Sequence, residues 1–270
     1  MYKFVFTFLL CTLFAGCSDD DDAPRYVPQK LISQIRIKRA DQTQQYDFKY
    51  DDRQRIKQHI ETKADGSQFT CETFEYTYAI NRIYVDCSGG ENPARYTLYT
   101  NKVGCAEKIV SENKATTTLT YNSNGYYYEK PSLEAWTSYE YRMIGEQCNL
   151  DKIIKYNSAT AAGVQSKEFD VAIEYSTVSN TTILDVSYFL VGNYSNTSTQ
   201  QLPLSLFGWM GKRSFMMPSS LQETSYTPNT TATHKWLYTY ETNTDGFITR
   251  IHAVESNNEA QSTEYTITYI

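Results

Sequence analysis

The chain holds 270 residues with a formal charge of −6, and 21% of its residues are charged. Lys and Arg form no basic patch, which excludes a phosphate-neutralising nucleic-acid surface. Residues 1–22 carry one Lys and four Asp, so −3 remains on the other 248 residues, enough for one large β domain or two small ones.

The chain opens with a processing segment. Lys3 precedes an almost wholly apolar run, Phe4 to Phe14, followed by small Ala15 and Gly16 and then Cys17. That run is far shorter than the about 20 residues that span a bilayer as a helix. It fits the apolar region of a signal peptide. Leu13 to Cys17 resembles the lipobox of bacterial lipoproteins, although Phe14 is bulkier than the usual residue at its place. The resemblance implies a signal peptide over 1–16, cleavage before Cys17, and a membrane partnership through lipid on Cys17. Multiple acyl chains on one cysteine satisfy the need for more than one anchor.

Residues 17–29 read as a lipidated, acidic tether. Asp19 to Asp22 repel one another and stay solvated. Cys17-Ser18 followed by aspartates resembles the surface-export signal of Bacteroidetes lipoproteins, which implies the outer face of the outer membrane. The alternative is the periplasmic face, because such signals are addresses read by receptors.

From residue 30 to 270 a single Tyr-rich all-β domain is expected. The chain has 24 Tyr against 12 Phe and 3 Trp, and Tyr suits pleated, half-buried surfaces. Tyr46 to Tyr50 alternates strictly, turns at Asp51 to Gln54 and returns over Arg55 to Ile60. Phe74 to Tyr78 does the same, turning near Ile80-Asn81. Thr116 to Tyr121 meets Asn124-Gly125, a strong hairpin signal because both residues tolerate positive φ. Tyr139 to Met143, Phe169 to Tyr175, Trp236 to Tyr240 and Tyr265 to Tyr269 repeat the pattern, with Asp245-Gly246 turning into Ile248. Period-2 alternation puts aromatic residues on one face and polar residues on the other. Short turns make neighbours antiparallel.

About sixteen strands are expected. An open sheet of that size tends to curl or close, which removes exposed edges. The predicted architecture is a large antiparallel meander, curled or closed into a barrel-like sheet; the alternative is two stacked sheets. Leu202 to Pro218 breaks the pattern, being apolar without alternation. Pro203 suits a first helical turn and Pro218 forbids continuation, so a short helical insertion with a loop is predicted over 202–218. Its expected role is a plug on the concave side; the alternative is a binding lip with exposed Trp209 and Met216. Asn193 to Gln201 reads as a polar loop.

The Phe48 to Ile56 segment, and loosely Tyr240 to Ile251, resembles the YD-type repeats of Rhs proteins. With the lipobox, the aspartate run, the tandem hairpins and the Leu206 to Lys212 insertion ahead of Pro218, the chain resembles a family of Bacteroidetes lipoproteins with a porin-like β-barrel fold. That resemblance implies a fold and an address. It implies no activity and no catalytic residues.

Of six cysteines, Cys11 leaves with the signal and Cys17 takes lipid. Cys71, Cys87, Cys105 and Cys148 remain, allowing three pairings that sequence cannot rank. Cys71 and Cys87 lie on consecutive strands, where pairing is open, and the spacings match no zinc pattern. His59, His234 and His252 sit in no metal or triad signature and read as surface or sheet histidines. Asp47, Glu75, Glu140 and Asp170 fall on the polar phase of strands, and nothing marks a facing pair of the kind a glycoside hydrolase needs. No metal, cofactor or catalytic residue is assigned. The leading expectation is a non-enzymatic binding or structural protein with glycan as ligand, or a surface protein as partner. Trp136, Trp209 and Trp236 are the candidate stacking residues, each weighed against a packing role. The alternatives are a glycan-active enzyme with an unidentified acidic pair, and an outer-membrane pore.

Overall fold

The computed structural model describes residues 30–270, apart from 67, 90–93, 145–146, 181 and 192–201. The signal segment, the Cys17 lipidation site, the acidic tether and the Asn193–Gln201 loop lie outside the described residues.

Seventeen strands and one helical turn are present among those residues. The first group is β1 (Ile32–Arg39), β2 (Gln42–Tyr50), β3 (Ile56–Asp65), β4 (Gln68–Ala79) and β5 (Arg82–Ser88). Next come β6 (Ala94–Thr100), β7 (Ala106–Ser111), β8 (Thr116–Thr118), β9 (Thr120–Tyr121) and β10 (Tyr127–Tyr128). Then follow β11 (Trp136–Ile144), β12 (Gln147–Tyr156), β13 (Lys167–Ser179) and α1 (Tyr188–Val191). The chain closes with β14 (Met216–Tyr226), β15 (Thr231–Thr242), β16 (Ile248–Glu255) and β17 (Asn258–Tyr269).

Fifteen strands form one antiparallel sheet in the order β11 to β17, then β1 to β8. Every neighbour is consecutive in the chain except one: β1 pairs with β17, from Ile32↔Tyr269 to Arg39↔Thr263. The two ends of the chain therefore meet mid-sheet, and the seam moves to β8 and β11. The β9–β10 hairpin occupies that seam. On one side the Leu119 amide donates to the Glu107 carbonyl at 2.9 Å. On the other, the Tyr141 hydroxyl donates to the Tyr127 carbonyl at 3.0 Å. This is the curled, barrel-like meander expected from the alternation.

A recurring turn sets the register at one end. Asp51, Asn101, Asn122 and Asn243 each donate their amide to the carbonyl four residues on, each at 2.9 Å. In each, the side-chain oxygen accepts the amides two and four residues later, as at Asn243 with Asp245 (3.1 Å) and Phe247 (3.0 Å). The fourth residue is left-handed: Gln54, Gly104, Gly125 and Gly246 have φ of 60, 88, 84 and 84°. Asx side chains supply that internal bonding, and glycine takes that conformation without strain.

The alternation fixes polarity. Ile35, Ile37, Tyr46, Phe48, Phe74 and Tyr76 are buried on the concave face. Their neighbours Arg36, Lys38, Lys57 and Glu75 are exposed, as are Asp86, Arg95, Arg250 and Glu264 farther round the sheet. The concave face is filled by the β13–β14 connection, whose Phe189, Leu190, Leu202, Leu204, Leu206 and Trp209 belong to the core.

The helical turn falls at Tyr188–Val191, ahead of the predicted 202–218 stretch. Leu202 to Met210 instead makes consecutive turns, with Gly208 donating to Ser205 (3.0 Å) and Trp209 to Leu204 (2.9 Å). Gly208 and Gly211 have φ of 71 and 87°, which ends any helical run there.

Candidate functional site

The β13–β14 connection carries a buried carboxylate into the barrel. The Asp185 amide donates to the Leu206 carbonyl at 2.8 Å, joining the two arms of the plug. Asp185 Oδ1 accepts from Asn180 Nδ2 (2.7 Å), the Ser187 amide (3.1 Å) and Ser187 Oγ (2.5 Å). Burial pushes its carboxyl pKa above the usual range, against the opposing pull of those donors and of Arg213. Asp185 and Arg213 line a cavity of about 90 Å³ beside the seam, walled by Tyr127, Tyr139, Tyr141 and Tyr188. Burial lowers the Arg213 pKa against the pull of Asp185, yet a guanidinium stays charged in proteins. Burial also raises the Tyr188 hydroxyl to about 12, with Glu61 adding to it.

A second concavity of about 210 Å³ lies where β1 and β15 to β17 meet α1. Trp236, Tyr238, Tyr265, Arg39 and Thr263 line it, with Phe189 and Leu190 from the plug. Ladder pairing sets this constellation: Trp236 stands opposite Glu255, Tyr238 opposite Ala253, and Arg39 opposite Thr263. Glu255 in turn accepts from His234 Nδ1 at 2.6 Å.

The three tryptophans are not brought together. Trp209 is 8% exposed and packs on Phe207 (4.9 Å) and Tyr76 (5.3 Å), so it is a core residue rather than a lip. Trp136 stacks on Tyr156 at 4.8 Å and donates to Gln165 Oε1 at 3.2 Å. Trp236 lines a concavity with polar partners.

His59 is a sheet histidine but not a surface one. It is fully buried, stacks on Phe74 at 4.3 Å and shares a 2.8 Å hydrogen bond with the Tyr76 hydroxyl through Nδ1. Its Nε2 has no partner, and burial lowers its pKa to about 3. His234 and His252 are exposed.

The four strand carboxylates lie on β2, β4, β11 and β13, no two of which are neighbours in the sheet. Asp47 accepts from Gln34 and Gln45, both at 2.8 Å, and Glu75 from Gln58 at 3.1 Å. Glu140 is exposed. Asp170 is 7% exposed rather than solvated, held by Lys167 (2.9 Å) and the Tyr226 hydroxyl (3.0 Å).

Cys71, Cys87, Cys105 and Cys148 are all free thiols. Cys87 is opposite Phe74 in the ladder, three residues beyond Cys71. That offset is about 10 Å, past the roughly 7 Å that a disulfide bridges. Among the described residues no group of three His, Cys, Asp or Glu is placed to hold a metal.

Solved structures with this architecture include two porin-like proteins. One is a porin-like protein from Bacteroides vulgatus, with a TM-score of 0.59 and 12% identity, covering 89% of this chain and 99% of that one. Another is a porin-like protein from Bacteroides uniformis, at 0.50 and 15%, covering 90% and 99%. The fold is porin-like. No protein-family model and no curated protein matches the chain. At these identities the likeness bears on fold alone. A membrane-spanning barrel turns an apolar band outward and a polar surface inward. Here the charges of Arg36, Lys38, Lys57 and Glu75 face outward, and Ile35, Phe48 and Phe74 face in.

The sequence reading missed the Asp185 cavity. Its signal was available: Asp185 stands between Leu184 and Val186 in an apolar stretch, where a charge needs a reason.

Proposed function

We propose that this is a lipid-anchored protein of the outer-membrane surface that binds a glycan without transforming it. The observation that carries the reading is the concavity at Trp236, where an indole, two tyrosines, Thr263 and Arg39 line about 210 Å³. Sugar rings stack on such faces, and the surrounding polar groups take their hydroxyls. Asp47, Glu75, Glu140 and Asp170 lie on four strands of which no two are neighbours in the sheet, which favours binding over hydrolysis by a facing pair of carboxyl groups. The outward charges and the filled concave side favour a water-facing domain over a pore. For the anchor, the support is the small-residue pair before Cys17 and the solvated aspartates after it.

Two experiments test this reading. The Cys17→Ala chain should leave the membrane fraction, and retention there would oppose a lipid anchor. The full-length protein in a planar bilayer should give no conductance steps, and reproducible steps would revive the pore.

A further inference from the structure

We infer that the seam cavity is a second binding site, selective for a small hydroxycarboxylate. Arg213 and Lys212 bring positive charge to the cavity, Asp185 brings an acceptor, and tyrosine rings form the walls. Among the described residues no carboxylate stands within 4.0 Å of the Arg213 guanidinium in an ion pair. Among the described residues its Nη1 makes a long 3.5 Å hydrogen bond to the Ile183 carbonyl. Lys212 is exposed at the mouth, its Nζ 5.7 Å from the Tyr126 ring.

A half-buried guanidinium is built for a planar carboxylate, which it grips through two parallel N–H donors. Asp185 attracts Arg213 across the cavity but makes no ion-pair contact with it, so the N–H donors of the guanidinium are open to a ligand anion. Asp185 adds a second condition. An anion with no donor of its own is repelled by that carboxylate, whereas a ligand hydroxyl donates to it. A carboxylate for Arg213 and Lys212 and a hydroxyl for Asp185 together define a hydroxy acid. The aromatic walls accept the C–H face of its carbon frame. A cavity of about 90 Å³ takes a small acid or the acid-bearing edge of a sugar, not an oligosaccharide. The site shares none of its lining residues with the Trp236 concavity, so it stands or falls apart from the glycan reading.

The test is calorimetric titration of the full-length protein in detergent with glycerate and with glucuronate, against glycerol, glucose and sulfate. Glycerate or glucuronate should bind at least tenfold more tightly than its neutral counterpart, and sulfate should not bind. Arg213→Gln should weaken binding at least tenfold and Lys212→Ala a few-fold, while Trp236→Ala leaves it unchanged. Binding of glucuronate alone assigns a sugar acid, and binding of both assigns hydroxy acids at large; either upholds the site. If Arg213→Gln misfolds by circular dichroism, the exposed Lys212→Ala variant and the acid-to-neutral ratio decide. No binding of either acid, equal binding of acid and neutral ligand, or loss in Trp236→Ala alone would overturn the inference.

Discussion

The Tyr50 hydroxyl donates to the Ile32 carbonyl across 2.8 Å, tying the last residue of β2 to the first of β1. The same bond recurs along that end of the sheet. Tyr78 donates to Ile56 (2.9 Å), Tyr175 to Leu150 (2.6 Å), Tyr269 to Ile248 (2.7 Å) and Tyr240 to Pro218. Each ring packs against the core while its hydroxyl reaches a main-chain carbonyl on a neighbouring strand, at the strand's first residue for Ile32, Ile56 and Ile248. This explains why tyrosine rather than phenylalanine dominates the composition: a buried carbonyl needs a donor, and Phe offers none. Tyr50→Phe should cost about 1 kcal/mol in urea unfolding. Tyr84→Phe, on the exposed face, should stay within about 0.5 kcal/mol. Equal effects would remove the belt's structural meaning.

The repeated turn makes a second prediction. Gly246 has φ +84° with open space around a would-be Cβ, so Gly246→Ala should cost about 1 kcal/mol of backbone strain. Gly211 has φ +87°, and there a Cβ would stand 2.8 Å from the Gly125 carbonyl oxygen and 2.9 Å from Tyr121. Gly211→Ala should therefore lose clearly more stability, and a smaller loss in thermal unfolding would contradict the close approach of plug and seam hairpin.

His59 gives stability a pH dependence. Burial holds its folded pKa near 3, below the about 6.5 of an unfolded histidine. As pH falls below 6.5 the unfolded chain takes up a proton that the folded chain refuses, so stability drops toward pH 3. The sign is that of a depressed base: its contribution is complete above the unfolded pKa and lost below it. The slope from this group approaches about 1.4 kcal/mol per pH unit. His59→Phe paired with Tyr76→Phe removes both hydrogen-bonding partners together and should flatten that slope with little loss at neutral pH. An unchanged slope would show that His59 reaches solvent.

Much of the fold was legible in the residues. The alternation of Tyr46 to Tyr50 and of Phe169 to Tyr175 gave strands, and Asn124-Gly125 and Asp245-Gly246 gave hairpins, because period and turn chemistry are local. The β1–β17 pairing was not legible, since no local signal says that the first and last strands meet. Helix placement failed for a related reason: Pro203 permits a helical start, but Gly208 and Gly211 were needed left-handed to lay Trp209 against Tyr76. Buried His59 and Asp170 looked solvated in sequence because burial on a sheet depends on neighbouring strands. Trp236 reaches its concavity through strand pairing that no local pattern announces, and the Asp185–Arg213 cavity joins residues 28 apart that come together through the plug.

A glycan array probed with the full-length protein and its Trp136→Ala, Trp209→Ala and Trp236→Ala variants tests the central claim most directly. Binding to a defined glycan class is expected, lost in Trp236→Ala and kept in Trp136→Ala, with Trp209→Ala lowering thermal stability through its core packing. Absence of binding to every glycan, or binding that survives Trp236→Ala, would contradict the account.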